Sequence, residues 1–94
     1  MSGARGEGAI IDRAARTIRL RHEPPGYVYR LTGDDSADRL EVVRVDQLTQ
    51  REEPYGVLER VRGRWRGAKG ATPAKTDVLA LVARAWNQAP LLRG

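Results

Sequence analysis

Arg60, Arg62, Arg64 and Arg66 occupy every second position of Val57 to Lys69, VLERVRGRWRGAK, with Val61 and Trp65 interleaved. Guanidinium groups stay charged and engage phosphate bidentately, so a series of this kind suits anion recognition better than bond breaking. On a strand, alternate residues stand about 6.6–7 Å apart, close to the spacing of successive phosphates, and one strand would then meet several of them. Lys69 closes the segment, and Arg19 and Arg21 alternate in the same way nearer the N-terminus. The competing use of such residues is a solvated outer face that keeps a sheet edge from pairing with neighbours.

Aromatic residues accompany these cations. Trp65 sits among the arginines and could stack on an exposed base; its place in the Val57, Val61, Trp65 series points instead to the core. Tyr27 and Tyr29 share a strand face, and because Arg30 on the other face belongs in water, both tyrosines are expected in or near the core. Other chemistry is sparse. Asp34, Asp35 and Asp38 are the one acidic cluster, but their spacing is not that of an EF-hand loop and Asp is ordinary in a hairpin connection. His22 is the single histidine; with no Cys, and with only Ser2 and Ser36 as serines, it makes no triad or zinc site. General acid–base work by His22 beside an arginine would be that of a minimal ribonuclease. Gly63, Gly67 and Gly70 lack the G-x-x-x-x-G-K-[ST] pattern of a phosphate loop. Neither a cofactor nor a metal is expected.

The elements that must position these residues form one small domain. Ninety-four residues allow a single core that buries around two-thirds of the unfolded surface. Phe is absent, so the core must be Ile, Leu and Val with Trp and Tyr. The lack of Cys is the usual state of a reducing compartment, and neither an h-region nor a long apolar run is present, so the expected location is cytoplasmic, with no membrane partner. Residues 1–50 balance eight arginines against eight carboxylates, whereas residues 51–94 hold nine basic and four acidic residues and supply the whole net charge of +5. A polyanionic partner for the second half follows from that asymmetry.

Residues 1–8 read as a disordered leader, and 9–94 as the domain. Ile10 and Ile11, then Thr17 to His22, predict two short strands about a turn at Ala14 to Arg16. Glu23-Pro24-Pro25-Gly26 breaks the chain, and Tyr27 to Thr32 and Leu40 to Asp46 supply the next two strands of an antiparallel meander. Thr49 to Gly56, with its Pro and Gly, predicts a loop. Val57 to Gly67 fits a strand better than a helix, because Gly63 and Gly67 would each cost a helix about 1 kcal/mol; the strand buries Val57, Val61 and Trp65 and turns the four arginines outward. Gly67 to Ala71 reads as a connector. Thr72 as N-cap and Pro73 at N1 open a helix whose stripe Val78, Leu79, Val82, Trp86 and Ala89 runs until Pro90.

The fold class expected is therefore α+β, a small antiparallel sheet of four to five strands, curled or barrel-like, packed on one C-terminal helix. The function expected is a non-enzymatic nucleic-acid-binding module, for RNA or DNA, with phosphate contacts from Arg60, Arg62, Arg64, Arg66, Lys69, Arg19 and Arg21 and little base specificity. Trp65, Tyr27 and Tyr29 are the candidate stacking residues. The alternatives are a small adaptor that meets an acidic protein surface or a second copy of itself through a strand edge, and the minimal ribonuclease.

Overall fold

The computed structural model describes residues 9–88 apart from 22, 25, 34, 35 and 71. His22, Asp34, Asp35, Ser2, Ala89, Pro90 and the leader, 1–8, lie outside the described residues. Six strands run in chain order, β1 (Ala9–Asp12), β2 (Thr17–Leu20), β3 (Tyr27–Thr32), β4 (Arg39–Asp46), β5 (Arg51–Val61) and β6 (Arg64–Gly70), followed by helix α1 (Pro73–Gln88). They form one antiparallel meander in the order β1 to β6. A flat sheet of six strands would be about 24 Å wide, and a helix with its side chains is only about 10–12 Å across. Since α1 nonetheless touches β1, β2, β5 and β6, the sheet curls around the helix as a half-barrel.

The first four strands lie where the sequence places them, and the hydrophobic period explains why. Ile18, Leu20, Tyr29, Leu31, Leu40 and Val42 alternate inward and meet Leu79, Val82, Ala83, Ala85 and Trp86 of α1. The helix opens as expected: the Lys75 N–H donates to Thr72 Oγ1 at 3.1 Å, and the Thr76 N–H donates to the Thr72 carbonyl. Its exposed side carries Asp77, Arg84 and Gln88.

The second half departs from expectation. Val57 to Gly67 is not one strand but two halves of a hairpin, and the sheet has six strands rather than four or five. Arg62 (φ 55°) and Gly63 (φ 80°) take left-handed backbone at successive positions, the geometry of a two-residue type I′ turn. Residues 51–56 are strand, not loop. Pro54 is tolerated there because β6 ends opposite Gly56 and leaves that stretch of β5 with β4 alone. A bulge opposite Val42 and Val43 makes Tyr55 the extra residue and turns its ring into the core. The expected connector is likewise strand as far as Gly70, which lies so close to α1 that a Cβ there would stand 2.6 Å from the Thr76 nitrogen.

Candidate nucleic-acid interface

A two-residue turn pairs residue 61 with 64 and residue 60 with 65, so residues that share a face have opposite parity on the two strands. The even-numbered arginines are therefore divided. Arg60 lies on the core-facing side with Trp65, its guanidinium carbon 5.3 Å from the indole centroid. It also donates to Asp38 Oδ1 at 3.2 Å and to the Ser36 carbonyl at 3.3 Å. Arg64 and Arg66 lie on the outer side, and Arg62 is at the turn itself; all three are exposed. The continuous outward ladder of four arginines is thus corrected to a pair on β6, one residue at the tip and one residue turned inward.

The same inversion corrects the apolar series. Leu58 is fully buried, Val57 is half-buried, and Val61 is 40 % exposed on the outer side. Trp65 is half-buried against the core, as its sequence setting suggests. Asn87 fixes it there: the Trp65 N–H donates to Asn87 Oδ1 at 2.7 Å, and Asn87 Nδ2 donates to the Trp65 carbonyl at 2.6 Å. Since Arg60 covers a face of the indole, Trp65 is not an open stacking surface.

Several cations of the sheet and of the helix start have carboxylate partners. Arg30 pairs with Glu52 at 3.0 Å, Arg44 with Glu53 at 2.9 Å, Lys75 with Glu53 at 2.7 Å and Arg60 with Asp38 at 3.2 Å. Arg62, Arg64 and Arg66 have no carboxylate partner among the described residues. Arg39 is in the same position. It stands on the outer face one strand beyond Glu59, which is itself opposite Arg66, so Arg39, Glu59 and Arg66 form a row across three strands. Sequence reasoning missed Arg39 because membership of that row depends on the β4–β5 register and on nothing local.

The remaining predicted site residues are elsewhere. Arg19 and Arg21 are exposed, but they lie toward the Tyr27 end of the sheet and on β2, four strands away from β6 along the curled sheet. For Lys69 the strand position opposite Val57 is described, and its side chain lies outside what is described. Tyr29 is fully buried and cannot stack a base. Tyr27 is half-buried beneath Arg44, whose guanidinium carbon is 4.4 Å from its ring centroid.

These tyrosines belong to a second polar centre that the sequence did not reveal. All three tyrosines of the chain gather at the end of the core face opposite the hairpin tip, with Tyr29 and Tyr55 edge to face at 5.3 Å. The Tyr29 hydroxyl donates to the Glu23 carboxylate at 2.7 and 2.8 Å and so ties down the proline loop. Burial, and then that bond, push its phenol up from the ordinary value. Glu53 accepts from Lys75 and Arg44, and the Lys75 bond holds its carboxyl below the usual range. A cleft of about 350 Å³ opens here between Tyr27, Arg44, Asp46, Arg51, Glu52 and Glu53. Its charges are largely satisfied internally: Asp46 caps the following turn through the Leu48 N–H, and Glu52 and Glu53 are paired. We read this centre as the device that seats the start of α1 on the sheet.

Among the described residues no helix is long and apolar enough to cross a membrane. No family model, no curated protein and no solved structure matches the chain.

Proposed function

We propose that this chain is a non-enzymatic nucleic-acid-binding module whose phosphate contacts come from the β5–β6 hairpin, through Arg62, Arg64 and Arg66, with Arg39 beside them. The observation that carries the reading is the division of charge partners. Arg30, Arg44 and Lys75 are neutralised by β5 carboxylates, whereas Arg62, Arg64, Arg66 and Arg39, which have no carboxylate partner among the described residues, are gathered at one end of the sheet; Arg19 and Arg51 also lack one but lie toward the other end. Arg64 and Arg66 are two residues apart on one face, about 6.6–7 Å, a spacing that suits successive phosphates. With no helix or motif dedicated to reading base edges, affinity would come mainly from counterion release.

Fluorescence anisotropy with labelled duplex DNA, single-stranded DNA and RNA, repeated from about 50 to 200 mM salt, tests this. Three or four neutralised phosphates on a duplex imply a log–log slope of about −2.7 to −3.6, a loss of roughly 40- to 150-fold over that range. Reversal of Arg62, Arg64 and Arg66 to Glu should abolish binding. Absence of binding at low salt would refute the proposal.

The second reading is self-association through a strand edge. Asn87 and Thr76 of α1 hydrogen-bond the backbone of β6 at Trp65 and Gly70, so that edge is taken. Among the described residues β1 and the 51–55 stretch of β5 offer an edge with no partner strand, and light scattering would register a dimer formed there.

A further inference from the structure

We infer that the β5–β6 hairpin enters the major groove of B-form duplex DNA, with Arg64, Arg66 and Arg39 on flanking phosphates and Arg62 moved from a phosphate to the base edges; apart from that reassignment it rests on the phosphate-binding reading above. The inference comes from where the hairpin loses its neighbours. Among the described residues the last support on the β5 side is the Arg60 N–H bonded to the Asp38 carbonyl at 2.9 Å. On the β6 side it is the Asn87 clamp on Trp65. Arg60 and Trp65 are opposite each other in the ladder, so both supports end at the same rung.

Beyond that rung, Val61, Arg62, Gly63 and Arg64 form a free two-stranded ribbon among the described residues. Its backbone projects by one residue pair and the turn, roughly 5 Å at the usual strand rise, before the arginine side chains add their length. The major groove of B-DNA is about 12 Å wide and about 8.5 Å deep and admits a two-stranded ribbon. A ribbon whose strands are about 4.8 Å apart fits that width with side chains on both faces. Single strands offer no groove, and A-form RNA has a major groove too deep and narrow for side chains to read.

Shape and charge agree in this placement. The tip carries Arg62 at its apex, where a fork of donors can meet guanine O6 and N7. Arg64 and Arg66 follow along the outer side of β6, and Arg39 stands two strands away in the row through Glu59, positions suited to a groove wall. Val61, 40 % exposed on that side, supplies an apolar contact at groove depth. A single apical arginine would confer only a mild preference for G·C pairs, in keeping with weak base specificity.

The test is anisotropy of wild type and Arg62→Asn on a B-form DNA duplex, the RNA duplex of the same sequence and single-stranded DNA, each at several salt concentrations. Asn accepts the left-handed turn geometry, so the variant keeps the hairpin, and circular dichroism confirms the fold. Groove entry predicts at least tenfold tighter binding to the DNA duplex than to the RNA duplex. It also predicts that Arg62→Asn removes most of that preference with the salt slope unchanged, because no phosphate contact is lost. Equal affinity for the two duplexes, tighter binding to single strands, or a slope reduced by about 0.9 in Arg62→Asn would overturn groove entry and leave the phosphate reading in place. No binding to any of the three would remove both.

Discussion

Asn87 on the helix holds Trp65 on the edge strand by both atoms of its side-chain amide, accepting from the Trp65 N–H at 2.7 Å and donating to its carbonyl at 2.6 Å. The amide occupies the place a seventh strand would take, satisfies two part-buried backbone groups and marks the last rung at which another described element supports the hairpin. Asn87→Ala leaves both groups without a partner, and the expected cost is about 1–3 kcal/mol in urea denaturation. Hydrogen exchange at the Trp65 amide should accelerate more than at the Leu58 amide. Unchanged exchange at Trp65 would show that the clamp does not hold the edge.

The turn that divides the arginines has one residue of the wrong type for its backbone. Arg62 at φ 55° takes a conformation that Asn adopts more readily, and Gly63 at φ 80° meets no steric objection. Arg62→Asn is expected to leave the thermal midpoint unchanged or raise it, by up to about 1 kcal/mol in stability. Gly63→Ala should lower stability by about 1–2 kcal/mol, although a Cβ there would touch nothing within 4 Å. A Gly63→Ala variant as stable as wild type would argue against the type I′ turn, and with it against the division of the arginines.

Gly70 lets the edge strand approach the helix. Its N–H donates to Thr76 Oγ1 at 3.2 Å, and a Cβ at Gly70 would lie 2.6 Å from the Thr76 nitrogen, a backbone atom that moves only with the helix. Gly70→Ala is expected to cost about 1–3 kcal/mol as overpacking. The exposed Ala74→Gly change should cost only about 1 kcal/mol by helix propensity. Comparable losses from the two substitutions would mean that the helix start yields freely.

The meander was legible because its signals are local and of period two. Ile18 and Leu20, Tyr29 and Leu31, and Leu40 and Val42 each alternate within a strand, and Pro24 with Gly26 stops the chain between strands. Thr72-Pro73 was equally legible, since capping is a relation among neighbours. The second half was misread because an alternating series crossed a two-residue turn. The parity that keeps Arg60, Arg62, Arg64 and Arg66 together on one strand divides them on two. The Arg62-Gly63 pair is the local sign of the turn, and it is a weak one because Arg stands where a type I′ turn prefers Asn or Asp. Arg39 in the outer row, and the gathering of Tyr27, Tyr29 and Tyr55 around Glu53 and Lys75, depend on register and on the Tyr55 bulge, which no local pattern encodes.

The second polar centre makes stability fall at both pH extremes. The Glu53 carboxyl is held below its ordinary value of 4.5, first by the Lys75 hydrogen bond, with the charges of Lys75 and Arg44 adding to it and burial opposing. A folded value below the unfolded one gives a contribution fully present above about pH 4.5 and lost as pH falls through the folded value. The Tyr29 phenol is raised above 10.0 by burial first and by Glu23 second. Its contribution is complete below about pH 10 and lost as pH climbs past it. Urea midpoints measured across pH should therefore show Glu53→Gln flattening the acid limb and Tyr29→Phe flattening part of the alkaline limb. An acid limb untouched by Glu53→Gln would exclude the pairing with Lys75.

Glu59 is the one acidic residue in the outer row and stands between Arg39 and Arg66 on adjacent strands. On a surface that serves only to stay solvated, its charge would be a convenient balance, and its removal would have no effect on binding. On a surface that grips phosphates, it repels the ligand. A carboxylate near 7 Å from a phosphate in water-like surroundings opposes binding by about 0.6 kcal/mol. Glu59→Gln should then tighten binding to nucleic acid roughly threefold at about 50 mM salt, with the gain shrinking as salt screens the repulsion. The salt slope should stay near its wild-type value, because the substitution adds no cation. Glu41→Gln, on the same face but farther along β4 from the hairpin, is the control and should change affinity much less. Equal effects from the two substitutions would mean that the net charge of the protein governs binding, and not the row of Arg39, Glu59 and Arg66.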